Sequence, residues 1–380
     1  MNLRIPDCKL FTGYSPCEPG KKCLECKDER PYGAKILIIN LDAMGDVIMT
    51  TAQLLALKKK YPQSFISWIT LANAYPLLLH NPYIDKIYRW DDETRLILEE
   101  MQFDVVLNAD KNQNAGAFIN RLLAEVKMGF GINENGAVIP LNQGAIYNYR
   151  LGLDDRYKFI GNQRTGQDIL AETFELDFQR DEYILNLSVA EKEFCQKYRD
   201  EYQISESDFV IGFNTGCSAK WPQKKLKIDQ HIELINRIYA DLSNVKILLL
   251  GGKEDTERNE QIAAGVNGPV FSTPTTMGLR SGLCFINLAD LVVTGDTFGM
   301  HAAIGLKKHV IAWFGMSCSQ EIDLYDRGVK IVSNVECAPC WNAKCDYFRC
   351  IDELNMDEFF THIKTFYEKF KNGEIKRESA

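Results

Sequence analysis

Residues 35–61 read KILIINLDAMGDVIMTTAQLLALKKKY, and their pattern decides the fold class. Residues 35–41 are almost wholly apolar and rich in isoleucine, as expected of a strand buried on both faces. From Val47 onward apolar residues recur three and four apart, so a helix is expected over residues 47–61. Between them lies Asn40-Leu41-Asp42-Ala43-Met44-Gly45-Asp46, a loop at the carboxyl end of a strand. The unit repeats downstream. Residues 65–71, 86–90 and 103–108 read as further strands, with helices over 93–101 and 115–126. A second series follows, with strands at 209–213, 245–250, 291–294 and 310–314 and helices at 228–242, 256–264 and 300–306. Alternation of this kind implies parallel sheets with right-handed crossovers, hence an α/β chain of two domains.

Residues 133–183 break the rhythm, being rich in Asn, Gln, Gly and Tyr with a helix over 167–176. They read as an irregular part of the first domain that faces substrate, or as a surface insertion. A charged helix over 188–202 makes the crossover, and an amphipathic helix over 357–370 is expected to pack back on the first domain. The expected boundaries are a cysteine-rich segment at 1–34, an acceptor domain at 35–187, a donor domain at 188–354 and a terminal helix at 355–380.

The chain has 380 residues, 46% of them hydrophobic, and a net charge of −8. These values fit a globular protein and argue against collagen-like, coiled-coil, disordered or nucleic-acid-coating classes. Residues 1–10 carry Arg4, Asp7 and Lys9 without an apolar stretch, and no window approaches the ~20 apolar residues of a membrane span. The cytoplasm is therefore the expected compartment, with peripheral attachment at the inner membrane left open. Disulfides are disfavoured there. Eight of the twelve cysteines fall into two groups, Cys8, Cys17, Cys23, Cys26 and Cys337, Cys340, Cys345, Cys350. Four thiolates suit structural zinc, iron or an iron–sulfur cluster, in one mixed site or two.

Ligands of open α/β sheets bind at strand ends, so the loops there are searched for chemistry. Asp46 reads as a helix cap or as a general base whose ionised form the helix N-terminus favours. After the strand at 209–213 comes Asn214-Thr215-Gly216-Cys217-Ser218-Ala219-Lys220-Trp221-Pro222. Hydroxyls, exposed amides and a lysine of this kind can hold a phosphate, although the P-loop spacing is absent. Lys224, Lys225 and Lys227 read as a solvated basic loop, whereas Lys220 is locked beside Trp221. The loop Gly295-Asp296-Thr297-Phe298-Gly299-Met300-His301 offers a second anion site, with Thr297 able to cap a helix and Gly299 exposing its amide. Glu254, after Gly251-Gly252-Lys253, can accept from ribose hydroxyls or cap a helix.

In order, MGDVIMT (44–50), TGCSAKWP (215–222), GGKE (251–254) and GDTFGMH (295–301) resemble the ADP-heptose:lipopolysaccharide heptosyltransferases, glycosyltransferase family 9, over residues 35–370. The resemblance implies a GT-B fold, with two Rossmann-like domains facing across a cleft, here flanked by cysteine-rich N- and C-terminal segments. It implies inverting transfer from ADP-heptose without a catalytic metal. Asp46 matches the family's base; Thr215 and Lys220 match donor-phosphate residues, and Glu254 a nucleotide-binding glutamate. Asp296, Thr297, Gly299 and His301 match the loop around the pyrophosphate and sugar, and Met277 lies where the family contacts adenine. Lys220 and Thr297 would then stabilise the diphosphate leaving group. Phe298 stands where the family usually has glycine. Forms with Phe-Gly resemble the branch that glycosylates autotransporter adhesins, whose members bind iron through cysteines. The implied partners are ADP-heptose or a related nucleotide sugar and a glycolipid or protein acceptor, with no nucleic acid; a homo-oligomer is left open. The alternatives are an enzyme for another nucleotide sugar and a non-catalytic nucleotide-sugar-binding metal or redox sensor.

Overall fold

The computed structural model describes residues 3–375 and Arg377. Its first sheet holds β1 (Lys35–Ile39), β2 (Phe65–Thr70), β3 (Lys86–Arg89), β4 (Gln102–Asn108), β5 (Leu123–Ile132) and β6 (Val138–Pro140), in the order β3-β2-β1-β4-β5-β6. β6 alone runs antiparallel, against β5. The second sheet holds β7 (Phe209–Asn214), β8 (Val245–Leu250), β9 (Val270–Ser272), β10 (Leu291–Gly295), β11 (His309–Phe314) and β12 (Gly328–Val332). Its order is β12-β11-β10-β7-β8-β9, parallel throughout. Both sheets reverse direction beside their first strand, between β1 and β4 and between β7 and β10. Such switch points open a crevice at the strand ends.

Ile36 to Ile39 are each at most 1% exposed, as helices on both faces of a parallel sheet require. The expected helix over 47–61 is instead two, Met44–Thr50 and Gln53–Lys60. At the break, the Thr51 hydroxyl donates to Ile48 O and accepts from Ile184 N, which ties the turn to the crossover segment. The helix expected over 115–126 is also corrected. It ends at Arg121, and residues 123–132 form β5, paired with β4 from Gln102↔Leu123 to Asn108↔Gly129. Gly129 lies at φ +94°, where a Cβ would meet Asn108 O at 1.9 Å.

The terminal helix, Met356–Lys371, does not return to the first domain. Its apolar face of Phe359, Phe360, Ile363 and Phe366 packs into a core with Phe209, Ile211, Trp313 and Ile331 of the second sheet. A larger core spans both halves and joins Val47 and Ile48 to Met300, Ala303 and Ile304. There Met44–Thr50 lies against the helix Phe298–Gly305, and glycines permit the approach. A Cβ on Gly45 would stand 2.5 Å from His301 Cδ2. Among the described residues no helix is long and apolar enough to cross a membrane.

Candidate active site

A cleft of about 980 Å³ opens between the two sets of strand ends, lined by Asp46, Asn214, Lys224, Glu254, Asp296, Thr297, His301 and Trp341 among others. The loop after β1 enters it through a cis Asp42–Ala43 peptide. Asp46 sits in the first turn of Met44–Thr50, and its Oδ2 accepts from Ala43 N at 3.3 Å. Behind this loop lies Asp110, a residue the sequence reading passed over. It is 6% exposed and accepts from Leu41 N and from Asn40 Nδ2 at 2.7 Å. Desolvation lifts its carboxyl to about 7 against those two hydrogen bonds.

On the facing wall Asn214 fastens two loops together. Its Nδ2 donates to Gly216 O at 3.2 Å, Thr294 Oγ1 at 3.0 Å and Thr297 Oγ1 at 2.9 Å. Thr297 precedes the helix Phe298–Gly305 but makes no side-chain cap; its hydroxyl accepts from Asn214. Phe298 and Gly299, the first residues of that helix, line the cleft, and a helix N-terminus favours an anion there. Lys224 Nζ reaches Asp296 Oδ2 at 2.7 Å, with both side chains nearly buried at 11% and 12% exposure. His301 Nε2 stands 4.0 Å from Asp296 Oδ1, and its ring stacks on Tyr183 with centroids 6.0 Å apart.

Charges in this cluster are set by burial and by each other. Water in the cleft reaches Asp46, yet the surrounding walls desolvate its carboxyl and raise it; nearby Asp296 adds to this, while His301, Ala43 N and Lys224 oppose it. The helix N-terminus favours the ionised form, but desolvation by the surrounding walls is the larger influence. For Asp296 desolvation also pushes upward, but the bonded Lys224 ammonium, with Ser317 and with His301 when protonated, holds it below the usual range. Desolvation lowers His301 despite both aspartates, so the neutral imidazole prevails at neutral pH. A second group lies on the same cleft. Glu321 lines it with a carboxyl raised by burial, opposed chiefly by Lys158 and Lys111. Lys111, bonded to Asn148 Oδ1 at 2.9 Å, is lowered to about 8 by desolvation and by Lys158.

Asp46, Glu254, Asp296, Thr297, Gly299 and His301 thus share one cleft. Three other expected residues do not border it. Thr215 is 1% exposed, and its hydroxyl is occupied by Leu250 O and Asn259 Oδ1. Lys220 is exposed and lies over the Trp221 ring. Met277 is 46% exposed, with its sulfur at 3.6 Å from Tyr198 OH; Thr273, Thr275 and Leu279 line the cleft near it. Lys224, expected in a solvated loop, is the lysine that the 3-10 turn Pro222–Lys224 turns inward.

All twelve cysteines are free thiols. Cys8, Cys17, Cys23 and Cys26 border one small cavity of about 30 Å³, where Arg30 N donates to Cys8 Sγ at 3.4 Å. At the other end the Cys350 thiol is pushed up to about 11, by burial first and then by Cys340, Cys337 and Cys345. Four thiols are an apt donor set for zinc or iron. Among the described residues, however, no group of three or more His, Cys, Asp or Glu side chains is arranged to hold a metal ion. These side-chain positions therefore do not by themselves form a metal site at either cysteine group; Cys8 Sγ accepts from Arg30 N and Cys345 Sγ lies 3.2 Å from Tyr347 O.

A carboxylate on one wall and an anion-receptive loop pair on the other suit transfer between two bound substrates, so fold and site together define a two-domain glycosyltransferase. The chain belongs to glycosyltransferase family 9, the heptosyltransferases, whose sequence model matches residues 95–350. Lipopolysaccharide heptosyltransferase 1 of Campylobacter coli is 25% identical over 305 residues, covering 75% of this chain and 85% of that protein. Among solved structures, a family 9 glycosyl transferase from Veillonella parvula superposes with a TM-score of 0.72 at 16% identity, over 88% of this chain and 98% of that one. The ADP-heptose lipopolysaccharide heptosyltransferase II of Escherichia coli gives 0.65 at 17%, over 89% and 99%. At these identities the superpositions speak for the fold, two parallel-sheet α/β domains of the GT-B type. Membership makes the chain a transferase of the heptosyltransferase type, for which ADP-heptose is the family's donor.

Proposed function

We propose that this chain moves a heptose from ADP-heptose to an acceptor hydroxyl with inversion, with Asp46 as general base. The observation that supports it is that Asp46 opens on the same cleft as the Lys224–Asp296 pair and the first turn of Phe298–Gly305. The acceptor O–H gives its proton to the Asp46 carboxylate as its oxygen bonds to the anomeric carbon. The carbon–oxygen bond to phosphate breaks, and its electron pair leaves with ADP. Lys224 and the helix amides meet the charge that grows on the diphosphate. Glu254, on the cleft wall, would accept from the ribose hydroxyls, and His301, neutral and packed against Gly45, would hold the two walls in register. The raised carboxyl makes Asp46 a stronger base than an ordinary aspartate. A lipopolysaccharide core sugar and a protein Ser or Thr are the two acceptor classes to compare. Purified protein incubated with ADP-heptose, UDP-sugars and GDP-sugars, with and without acceptor, should release ADP. No release from any donor would remove the transferase, and release only from UDP- or GDP-sugars would remove the heptose.

We also propose a structural metal at Cys8, Cys17, Cys23 and Cys26, supported by their shared cavity. Ligation would require the four sulfurs to draw together, and the reaction has no step through it. Elemental analysis should find zinc or iron that is lost in Cys23→Ser/Cys26→Ser; metal-free wild-type protein ends the idea.

A further inference from the structure

The C-terminal cysteine segment reaches the cleft through one side chain, Trp341, which lies between Cys340 and Cys345 and lines the wall. The amides of Cys340 and Trp341 both donate to Met316 O at 3.0 Å, and Trp341 adopts φ +47°. Gln223, 2% exposed, directs its Nε2 at the carbonyls of Asn342, Ala343 and Cys345 at 3.4–3.5 Å, so the segment and the donor loop are pinned together. Two ammonium groups converge on the Trp341 ring. Lys224 Nζ lies 4.6 Å from its centroid and Lys158 Nζ 4.8 Å. Trp221 meets it edge-on at 5.4 Å and 81°.

The two lysines come from opposite halves of the chain. Lys224 follows β7 and is bonded to Asp296, whereas Lys158 belongs to the one-turn helix Tyr157–Gly161 of the irregular segment after β6. An aromatic face attracts a cation most when water is excluded, and here the Lys224 side chain is only 11% exposed. We propose that Trp341 is a positioning residue for transfer: its ring fixes Lys224 at the leaving-group end and, through Lys158, joins the two halves. This rests on the reading of Lys224 as the cation that meets the diphosphate. It gives the cysteine-rich segment a part in the reaction that its thiols alone do not explain.

The test separates aromatic character from bulk. Trp341→Leu fills space without a π face, and Trp341→Phe keeps the face. Removing one cation–π interaction costs roughly 2- to 30-fold. Trp341→Leu should therefore lower kcat about 10-fold while KM for ADP-heptose changes less than about threefold, and Trp341→Phe should stay within about threefold of wild type. In a double-mutant cycle with Lys224→Met, Trp341→Leu should add almost nothing further. The same cycle read on ADP affinity by calorimetry needs no turnover. Equal activity of the Leu and Phe variants, or additive losses with Lys224→Met in both assays, overturns the proposal. Wild-type protein that turns over no donor removes the transferase reading instead, and the calorimetric cycle then decides Trp341 alone.

Discussion

Gly45→Ala adds one methyl group where the two domains touch, and the structure sets its consequence. The new Cβ would lie 2.5 Å from His301 Cδ2 and 3.2 Å from Cγ and Nε2. Carbon atoms in van der Waals contact settle at about 3.5–4.0 Å, so something must move by about 1 Å. The imidazole is 7% exposed and its ring faces Tyr183, itself 3% exposed, which limits its retreat away from the cleft. The helix Met44–Thr50 must therefore withdraw from Phe298–Gly305 and carry Asp46 away from the donor wall. Overpacking of this size costs about 1–3 kcal/mol, or roughly 1–4 °C in Tm for a chain this long. Displacing a reacting group by about 1 Å costs on the order of 100-fold in rate. Calorimetry and ADP release measure the two effects. Gly282→Ala serves as the stability control, because its Cβ would meet nothing within 4 Å in the helix Leu279–Leu288. It should hold or raise Tm by up to about 1 kcal/mol equivalent. A Gly45→Ala protein with wild-type Tm and activity within twofold would show that the two helices do not meet as described.

Asp46→Asn keeps an oxygen for Ala43 N but cannot take a proton, so transfer should fall about 10²- to 10⁴-fold with ADP affinity nearly unchanged. A larger loss in Glu321→Gln would move the base to that residue. Because the Asp46 carboxyl is raised and must be ionised to act, kcat/KM should decline as pH falls through a pKa above the ordinary aspartate value. An acid limb at or below about 4 would contradict the desolvation argument. Lys224→Met should lower kcat about 100-fold, whereas Lys220→Met, outside the cleft, should stay within about threefold; the reverse order would restore Lys220 to the donor site. Glu191 is held at about 2, chiefly by Arg280, whose Nε donates at 2.6 Å and which also bonds Pro76 O across the domains. Its depressed pKa stabilises the fold above about 4.5 and loses that effect as pH falls toward about 2. Glu191→Gln should cost at most about 3 kcal/mol at pH 7, and its Tm difference from wild type should vanish near pH 2. A difference independent of pH would refute the ion-pair account.

Much of the fold was legible because buried parallel strands are short apolar runs and their loops carry Gly, Asp and Asn. What failed did so for physical reasons. In β5 the residues Leu123-Ala124-Glu125-Val126 continue a helical spacing from the preceding helix, and only pairing with β4 overrides it. The terminal helix was misplaced because an apolar face states that it must be covered, not by which sheet. At the end of β7 the pleat decides roles. Asn214 and Gly216 line the cleft while Thr215 points away, a parity that a motif match does not resolve. The lysines four positions apart, Lys220 and Lys224, exchange places because the 3-10 turn at Pro222–Lys224 reverses the chain between them. Asp110 left a weak signal, two residues past Asn108 at a strand end, but its pairing with the loop after β1 is a long-range contact.

The arrangement of charge also bears on how the site handles a diphosphate. Lys224 is paired with Asp296, which stays ionised, and His301 stays neutral. These three groups carry no net positive charge, and Asp46 adds negative charge whenever it is ready to act as base. Within this trio no excess cationic charge attracts the donor; the further cations nearby are Lys158, which shares the Trp341 face with Lys224, and Lys253, which lines the cleft. A buried ion pair is weak evidence for stability, since desolvation consumes most of its Coulomb energy. Its use here is different. Asp296 holds Lys224 in place before the donor arrives, so that no reorganisation is needed when charge develops, and the amides of Phe298–Gly305 supply the remaining field. Preorganised dipoles and nearly buried ion pairs lining a cleft are screened less by salt than surface charges are. ADP affinity should therefore fall by less than about threefold between 0.05 and 0.5 M NaCl, and a decline of tenfold or more would mean that exposed lysines, not this pair, recruit the donor.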